Sequence, residues 1–275
     1  MSSKFWDEKR NSAYRELRFE FATNTLAGRT VVLAGGTGGL GAATALLLAG
    51  EGAHLILGYR KNRERALAVA TAVEKHCGCP PSLVEGDIGE ASVRAKFLAA
   101  TQKTGSALAG AAIFSGDPAR VPWDRLDRAA LAASFDVNFA GPLLLAKDLG
   151  DAMEKNESSG SIVLLATMQA LAAFPGSVNY AAPKAALVHA ARILAQQWNR
   201  VRVNVVAPGA TVAGMAEASV QSGKYDRYVE NGTIPRFGQP EDVARAVRFF
   251  LEPDNYVTGQ VLAVDGGMTS RRDRG

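Results

Sequence analysis

Thiols and imidazoles are scarce in this 275-residue chain, which has two cysteines and three histidines. A small disulfide-stapled scaffold needs far more cysteine and is excluded. Cys77 and Cys79 are separated by one glycine, closer than a zinc site spaces its ligands, and no second ligand pair accompanies them. They read as free thiols of a reducing cytoplasm. His54, His76 and His189 show no metal spacing, so structural roles are expected and no metal is. Nowhere do about eighteen apolar residues run together, and the N-terminal stretch has no signal-like apolar core. The expectation is a cytoplasmic protein with no membrane span.

Charge of one sign is also thinly spread. The formal net charge is +4, of which residues 1–20 carry +1 and Arg271, Arg272, Asp273 and Arg274 carry +2, leaving +1 for everything between. A broad basic face for nucleic acid is excluded. At 47% hydrophobic and 21% charged residues the chain is not disordered.

Short β-branched runs alternate with longer Ala/Leu-rich stretches of helical period. Strands are expected at Thr30–Ala34, His54–Tyr59, Ser82–Glu85, Leu108–Phe114, Ser161–Ala166, Arg202–Ala207 and Val261–Val264. Strands this uniformly apolar are buried on both faces. The rhythm therefore predicts an α/β fold, a Rossmann-like doubly wound parallel sheet of about seven strands with helices on both faces. No linker or repeat divides residues 28–268, so residues 1–27 read as an N-terminal extension and 269–275 as a basic C-terminal tail. For the charged extension two readings stand together: a short amphipathic helix around Lys9–Phe21, docked on the body or on another subunit, or a mobile segment.

After the first strand the chain reads Ala34-Gly35-Gly36-Thr37-Gly38-Gly39-Leu40-Gly41 and enters a helix expected over Ala42–Glu51. Glycine permits a tight turn and lets backbone N–H groups approach a pyrophosphate at the positive end of a helix. Gly36, Gly38 and Gly41 fit the G-x-G-x-x-G fingerprint, while Gly35, Gly39 and Gly41 fit a wider G-x-x-x-G-x-G spacing. The second strand ends Gly58-Tyr59-Arg60-Lys61, with no carboxylate for the adenosine ribose of NAD. A guanidinium there clamps a 2′-phosphate instead, which favours NADP over NAD.

Further along, Tyr180 and Lys184 stand four residues apart in a stretch expected to be helical through Trp198. That spacing shares one helix face, so the Lys184 ammonium is expected near the Tyr180 phenol, lowering its pKa and making it a general acid. Pro183 lacks the N–H that would bond the Asn179 carbonyl, a loss that is harmless if the helix begins near Asn179.

These motifs together resemble the short-chain dehydrogenase/reductase family of single-domain type over about residues 28–268, particularly members of the 3-oxoacyl-carrier-protein reductase kind. The glycine turn, Asp87, Asp136-Val137-Asn138, Tyr180 with Lys184, Asn204 with Pro208-Gly209, Ile234 to Glu241 and Val264-Asp265-Gly266-Gly267 occur in family order. The resemblance implies NAD(P)-dependent carbonyl reduction or alcohol oxidation on a small molecule. Tyr180 would be the proton donor, Lys184 would bind the nicotinamide ribose, and Asn138 would hold a relay water. Thr167 would stand in the place of the catalytic serine, thirteen residues before the tyrosine. The implied cofactor-binding set adds Gly35, Thr37, Gly38, Gly39, Leu40, Gly41, Tyr59, Arg60, Lys61, Asp87, Ile88, Ser115, Gly116, Pro208, Gly209 and Thr211.

The chain departs from the family at three places. Ala34 replaces a threonine, Ile113-Phe114-Ser115-Gly116 replaces Asn-Asn-Ala-Gly, and Ala213 replaces the threonine that contacts the carboxamide, with Thr211 as a substitute. Val212–Ile234 falls where the family has its substrate lid. A non-catalytic dinucleotide sensor is the alternative from another class, against which Tyr180, Lys184 and Asn138 count. A carrier-protein substrate finds little positive charge in Asn156–Gly160, beside which only Lys155 stands. The family also implies a homo-oligomer, dimer or tetramer, through the Ala140–Leu149 and Ala185–Leu194 faces.

Overall fold

A computed structural model of the chain describes residues 4, 6–19 and 22–271. Its seven strands are β1 (Thr30–Ala34), β2 (His54–Tyr59), β3 (Ser82–Glu85), β4 (Leu108–Ile113), β5 (Gly160–Leu165), β6 (Val201–Pro208) and β7 (Val261–Val264). They form one parallel sheet in the order β3-β2-β1-β4-β5-β6-β7. The expected doubly wound architecture is therefore what the chain adopts, with strand ends shifted by a residue at most.

Alternation of side chains along each strand divides the core into two layers. Val32, Ile56, Ile113, Ile162 and Val205 point to one face. There they meet α4 (Ala91–Lys103), α6 (Gly141–Lys155) and α7 (Val178–Leu194). Leu33, Leu57, Ala112, Val163 and Val206 point to the other, under α2 (Gly39–Gly50) and α10 (Pro240–Leu251), with α3 (Arg63–Cys77) beside α2. Full burial of each large side chain contributes about 1.5–3 kcal/mol, so both layers are needed to hold the sheet.

α6 continues a helix that starts as α5 (Arg128–Phe135) and passes through one π turn at Asp136–Ala140. The whole run Arg128–Lys155 is long and apolar enough to cross a membrane by length and composition alone. In the fold its Leu145, Ala146, Leu149 and Met153 are core residues on β4 and β5.

Three helix boundaries differ from expectation. α1 (Glu8–Arg15) stops well before Phe21, which lies outside the described residues, because Leu17 turns left-handed at φ 57°. α2 begins at Gly39 rather than Ala42, and α7 ends at Leu194 rather than Trp198. Trp198 is instead drawn into the core over Gly150, where a Cβ would lie 2.5 Å from the indole. The tail residues Arg272, Asp273 and Arg274 also lie outside the described residues.

Candidate active site

The order of strands reverses between β1 and β4, which opens a crevice at their carboxyl ends. There the structure has a cavity of about 610 Å³. One wall is the glycine turn. Gly35 takes φ +78°, a conformation that side chains disfavour. At Gly41 the constraint is contact, since a Cβ would fall 2.4 Å from the Gly35 carbonyl oxygen and 2.7 Å from the Gly36 Cα. The start of α2 is thereby pressed onto the turn, and its first-turn N–H groups at Gly39, Leu40 and Gly41 have no helical acceptors. Gly35, Thr37, Gly38, Gly39, Leu40 and Gly41 line the cavity. Gly36 does not; it sits back on Leu33. Of the two overlapping glycine patterns, the wider one maps onto the wall.

At one end of the cavity lie Tyr59, Arg60, Asp87 and Ile88. The Arg60 guanidinium stands 3.6 Å from the Asp87 carboxylate. Lys61, expected beside it, is not part of this wall, because the chain turns away into α3, where Asn62 accepts the Arg65 N–H at 2.9 Å as helix cap. The Tyr59 hydroxyl is also turned aside and donates to Glu85 at 2.8 Å. Arg65, absent from the expected set, donates its Nε–H to the Thr37 carbonyl at 2.7 Å and so ties α3 to the glycine turn. No sequence signal distinguishes it from the neighbouring Arg63.

At the other end stand Ser115, Gly116, Thr167, Tyr180, Lys184, Pro208, Gly209 and Thr211. Thr167 lies two residues after β5; its hydroxyl accepts the Gln169 N–H at 3.3 Å and lies near enough to the Tyr180 phenol to lower its pKa. Lys184 is fully buried and donates to the Leu165 carbonyl at 2.8 Å and to the Ser115 carbonyl at 3.4 Å. Thr211 donates to the Gly209 carbonyl at 3.2 Å. The departures at Ala34 and Phe114 leave backbone contacts intact, for the Phe114 N–H donates to the Ala34 carbonyl at 2.8 Å.

The electrostatics differ from the sequence expectation. Burial pushes the Tyr180 phenol up to about 12, opposed by the Thr167 hydroxyl, and Lys184 is not among the groups lowering it. Burial pushes the Lys184 ammonium down to about 7. The spacing of four residues places both groups on one cavity wall, but desolvation outweighs their coupling.

Asn138 is buried behind the wall rather than on it, within the π turn. Its Oδ1 accepts the Asp117 N–H at 2.9 Å and its Nδ2 donates to Ser134 Oγ at 3.1 Å. A Cβ on Gly116 would lie 2.9 Å from Asn138 Oδ1 and 3.2 Å from Lys184 Nζ, so both groups converge on that glycine. Such single π turns recur at functional sites because they redirect one side chain.

Ser134, which sequence reasoning missed, compensates for Pro183. α7 starts at Val178, and the Asn179 carbonyl orphaned by Pro183 accepts the Ser134 hydroxyl. One buried hydroxyl thus serves both the Asn138 amide and the break in α7. Ser134→Ala is expected to cost about 1–3 kcal/mol, the penalty of an unsatisfied buried acceptor. Chemical denaturation measures it, and an unchanged midpoint would remove Ser134 from this role.

The family profile described as enoyl-(acyl carrier protein) reductase matches residues 34–269. The chain belongs to the short-chain dehydrogenase/reductase family. It is 32% identical over 250 residues to a 3-oxoacyl-(acyl-carrier-protein) reductase FabG of Aggregatibacter actinomycetemcomitans, covering 87% of this chain and 98% of that protein. Among solved structures, a short-chain type dehydrogenase/reductase from Mycobacterium ulcerans aligns with a TM-score of 0.83 at 26% identity, covering 90% of this chain and 92% of the other. A 7α-hydroxysteroid dehydrogenase solved with NADH and 7-oxoglycochenodeoxycholic acid aligns with a TM-score of 0.83 at 25% identity, covering 90% and 98%. Membership of the short-chain dehydrogenase/reductase family places the chain among oxidoreductases and implies a nicotinamide dinucleotide as the cofactor. The residues present fit that group, since the open N–H groups of α2 and the Cβ-free turn form an anion cradle on the wall of a cavity of about 610 Å³.

Proposed function

We propose that the chain is an NADP(H)-dependent reductase of a ketone or aldehyde, with Tyr180 as the proton donor. The observation that carries this reading is one cavity joining the glycine turn to Thr167, Tyr180 and Lys184. When bound, the nicotinamide supplies or takes up a hydride. The Tyr180 hydroxyl gives its proton to the carbonyl oxygen, and the Thr167 hydroxyl, on the same cavity wall, orients that same oxygen. The extra methyl of threonine restricts χ1, which narrows how the oxygen approaches. Lys184, whose ammonium donates to the Leu165 carbonyl, would hold the nicotinamide ribose. Asn138, converging with Lys184 on Gly116, marks the route by which protons are resupplied.

Turnover supports this reading if NADPH is oxidised in the presence of a panel of ketones and aldehydes, and micromolar cofactor binding with no turnover on any of them favours a sensor instead.

The preference for NADP rests on Arg60, which is half-exposed at the cavity end and among the described residues has only Asp87 as ion-pair partner, at 3.6 Å. Arg60→Ala is expected to lower the ratio of NADPH to NADH affinity about tenfold or more, the loss of a bidentate phosphate contact. An unchanged ratio in titrations with both cofactors means that Arg60 does not hold the 2′-phosphate. Self-association belongs to the same reading: Leu144 on α6 and Ile193 on α7 are exposed on the helices that would pair. Sedimentation decides between monomer, dimer and tetramer.

A further inference from the structure

Beyond Thr167 and Tyr180 the cavity continues under the segment after β6. That segment forms a short turn at Gly214–Ala216 and two helices, α8 (Glu217–Gln221) and α9 (Asp226–Glu230). It packs directly on the glycine turn, since a Cβ on Gly39 would lie 2.8 Å from the Gly214 nitrogen. Opposite it is the loop after β4, which carries Arg120. One guanidinium nitrogen, Nη2, spans the gap and donates to the Met215 carbonyl at 3.0 Å and to Ser219 Oγ at 3.2 Å. Arg120 lines the cavity, and among the described residues its other guanidinium donors make no hydrogen bond.

Lys224 lines the same rim from the other side, its ammonium 5.5 Å from the centre of the Tyr225 ring. Tyr225 is buried beside Lys224, and its phenol lies within electrostatic reach of Arg120 and of Gln169, two residues from Thr167. The cavity's two carboxylates are elsewhere. Asp87 faces Arg60, and Asp136 opens the π turn, its backbone carbonyl beside Ile88 at Gly141. Of the acids near the rim in sequence, Asp117 accepts the Ala119 N–H at 2.8 Å within its own loop, and Asp226, two residues after Lys224, turns its carboxylate toward Gly223. Neither Arg120 nor Lys224 makes an ion pair among the described residues. Two cations that both line the cleft and have no ion-pair partner among the described residues favour an anion there.

We infer that Arg120 and Lys224 form an anion-receiving rim, so that the carbonyl compound reduced at Tyr180 carries a carboxylate, sulfonate or phosphate at its far end. This rests on the reductase reading for the reaction, but not for the binding. Arg120 is suited to the task because its position is already fixed by Met215 and Ser219, which lowers the ordering cost when an anion arrives. Holding the anion would also hold the α8 segment closed over the reacting centre, since the same guanidinium serves both.

The test compares matched substrates. Initial rates with NADPH are measured for 4-oxopentanoate and its methyl ester, for 3-oxobutane-1-sulfonate and the neutral ketone butanone, and for dihydroxyacetone phosphate and dihydroxyacetone. The anionic member of at least one pair is expected to have a kcat/KM about tenfold or more higher, and the preferred pair identifies the anion. Arg120→Gln and Lys224→Gln are each expected to cut that anionic-to-neutral ratio about tenfold, mainly through KM, as loss of a charge-assisted hydrogen bond does. Lys224→Arg should restore it, and high salt should narrow it. A ratio near one in all pairs, or variants that slow acid and ester equally, overturns the inference; the latter would leave Arg120 only its tether to Met215 and Ser219. Faster turnover of a 3-oxoacyl group on acyl carrier protein than of any small acid would assign the two cations to the carrier and also overturn it. If no carbonyl compound oxidises NADPH, the reductase reading fails alone: succinate should then still raise the melting temperature of the wild type and not that of Arg120→Gln or Lys224→Gln. No such rise removes the anion site as well.

Discussion

Tyr180→Phe is expected to lose about a hundred- to ten-thousandfold in kcat for carbonyl reduction while binding NADPH as the wild type does, because it removes the proton donor and nothing else. The phenol is suited to donate, since burial pushes it up to about 12 and keeps it protonated throughout the physiological range. Its own ionisation therefore sets no limb of the neutral pH profile. Lys184 does, because burial pushes its ammonium down to about 7. In the proposed reaction that ammonium assists proton release from Tyr180. The kcat/KM for reduction should then fall as pH rises through about 7, the value governing the free enzyme. Undiminished turnover by Tyr180→Phe would move the proton donor elsewhere, and a flat profile across neutrality would separate the lysine charge from the reaction.

Lys184→Met is expected to abolish most turnover and yet make the protein more stable near neutral pH. Lys184 is fully buried with no carboxylate partner among the described residues, so its charged form costs desolvation that two carbonyl acceptors only partly offset. The sign is set by its depressed pKa. Between the usual 10.5 and about 7 the unfolded chain takes up a proton that the folded chain refuses. Native stability is therefore lost as pH falls through that window and is constant below it. Lys184→Met should melt higher at pH 6 and converge with the wild type as pH approaches 10.5, with each kcal/mol worth about 2–4 °C in a chain of this size. Melting curves across this range check it. A variant that melts lower at every pH would show that the bonds to Leu165 and Ser115 outweigh desolvation. The gain in stability against loss of activity is the signature of a charge kept for function.

Much of the sheet was legible in the sequence because local pattern and fold agree there. Val31 to Ala34, Leu55 to Tyr59 and Val203 to Ala207 are buried along their whole length, which only a doubly covered parallel strand requires. The glycine turn was legible for the same reason, since the absence of Cβ atoms is itself the structural device. Helix ends were less so. Trp198 reads as a helical residue but is pulled into the core by the space over Gly150, a contact across 48 positions of sequence that periodicity does not register. At the site, the spacing of Tyr180 and Lys184 and the family resemblance at Thr167 point to residues that line one cavity in the structure. Lys61 lies off that wall and the Tyr59 hydroxyl turns to Glu85, because the direction in which a strand end turns depends on its neighbours in the fold, here the Asn62 cap and Glu85.

The alternation of strand and helix, the turn that needs glycine, and the identity of the groups able to exchange a proton were determined by the sequence alone. These are properties of single residues and short spacings, set by backbone sterics and side-chain chemistry. Only the tertiary structure decided their environment. Burial, not the helical spacing of Tyr180 and Lys184, sets both pKa values. The π turn brings Asn138 to Gly116, Ser134 satisfies the carbonyl that Pro183 strands, and Arg120 meets α8 from almost a hundred residues away. Desolvation and long-range hydrogen bonds depend on which distant segments are packed together, and that information is absent from any local window of the chain.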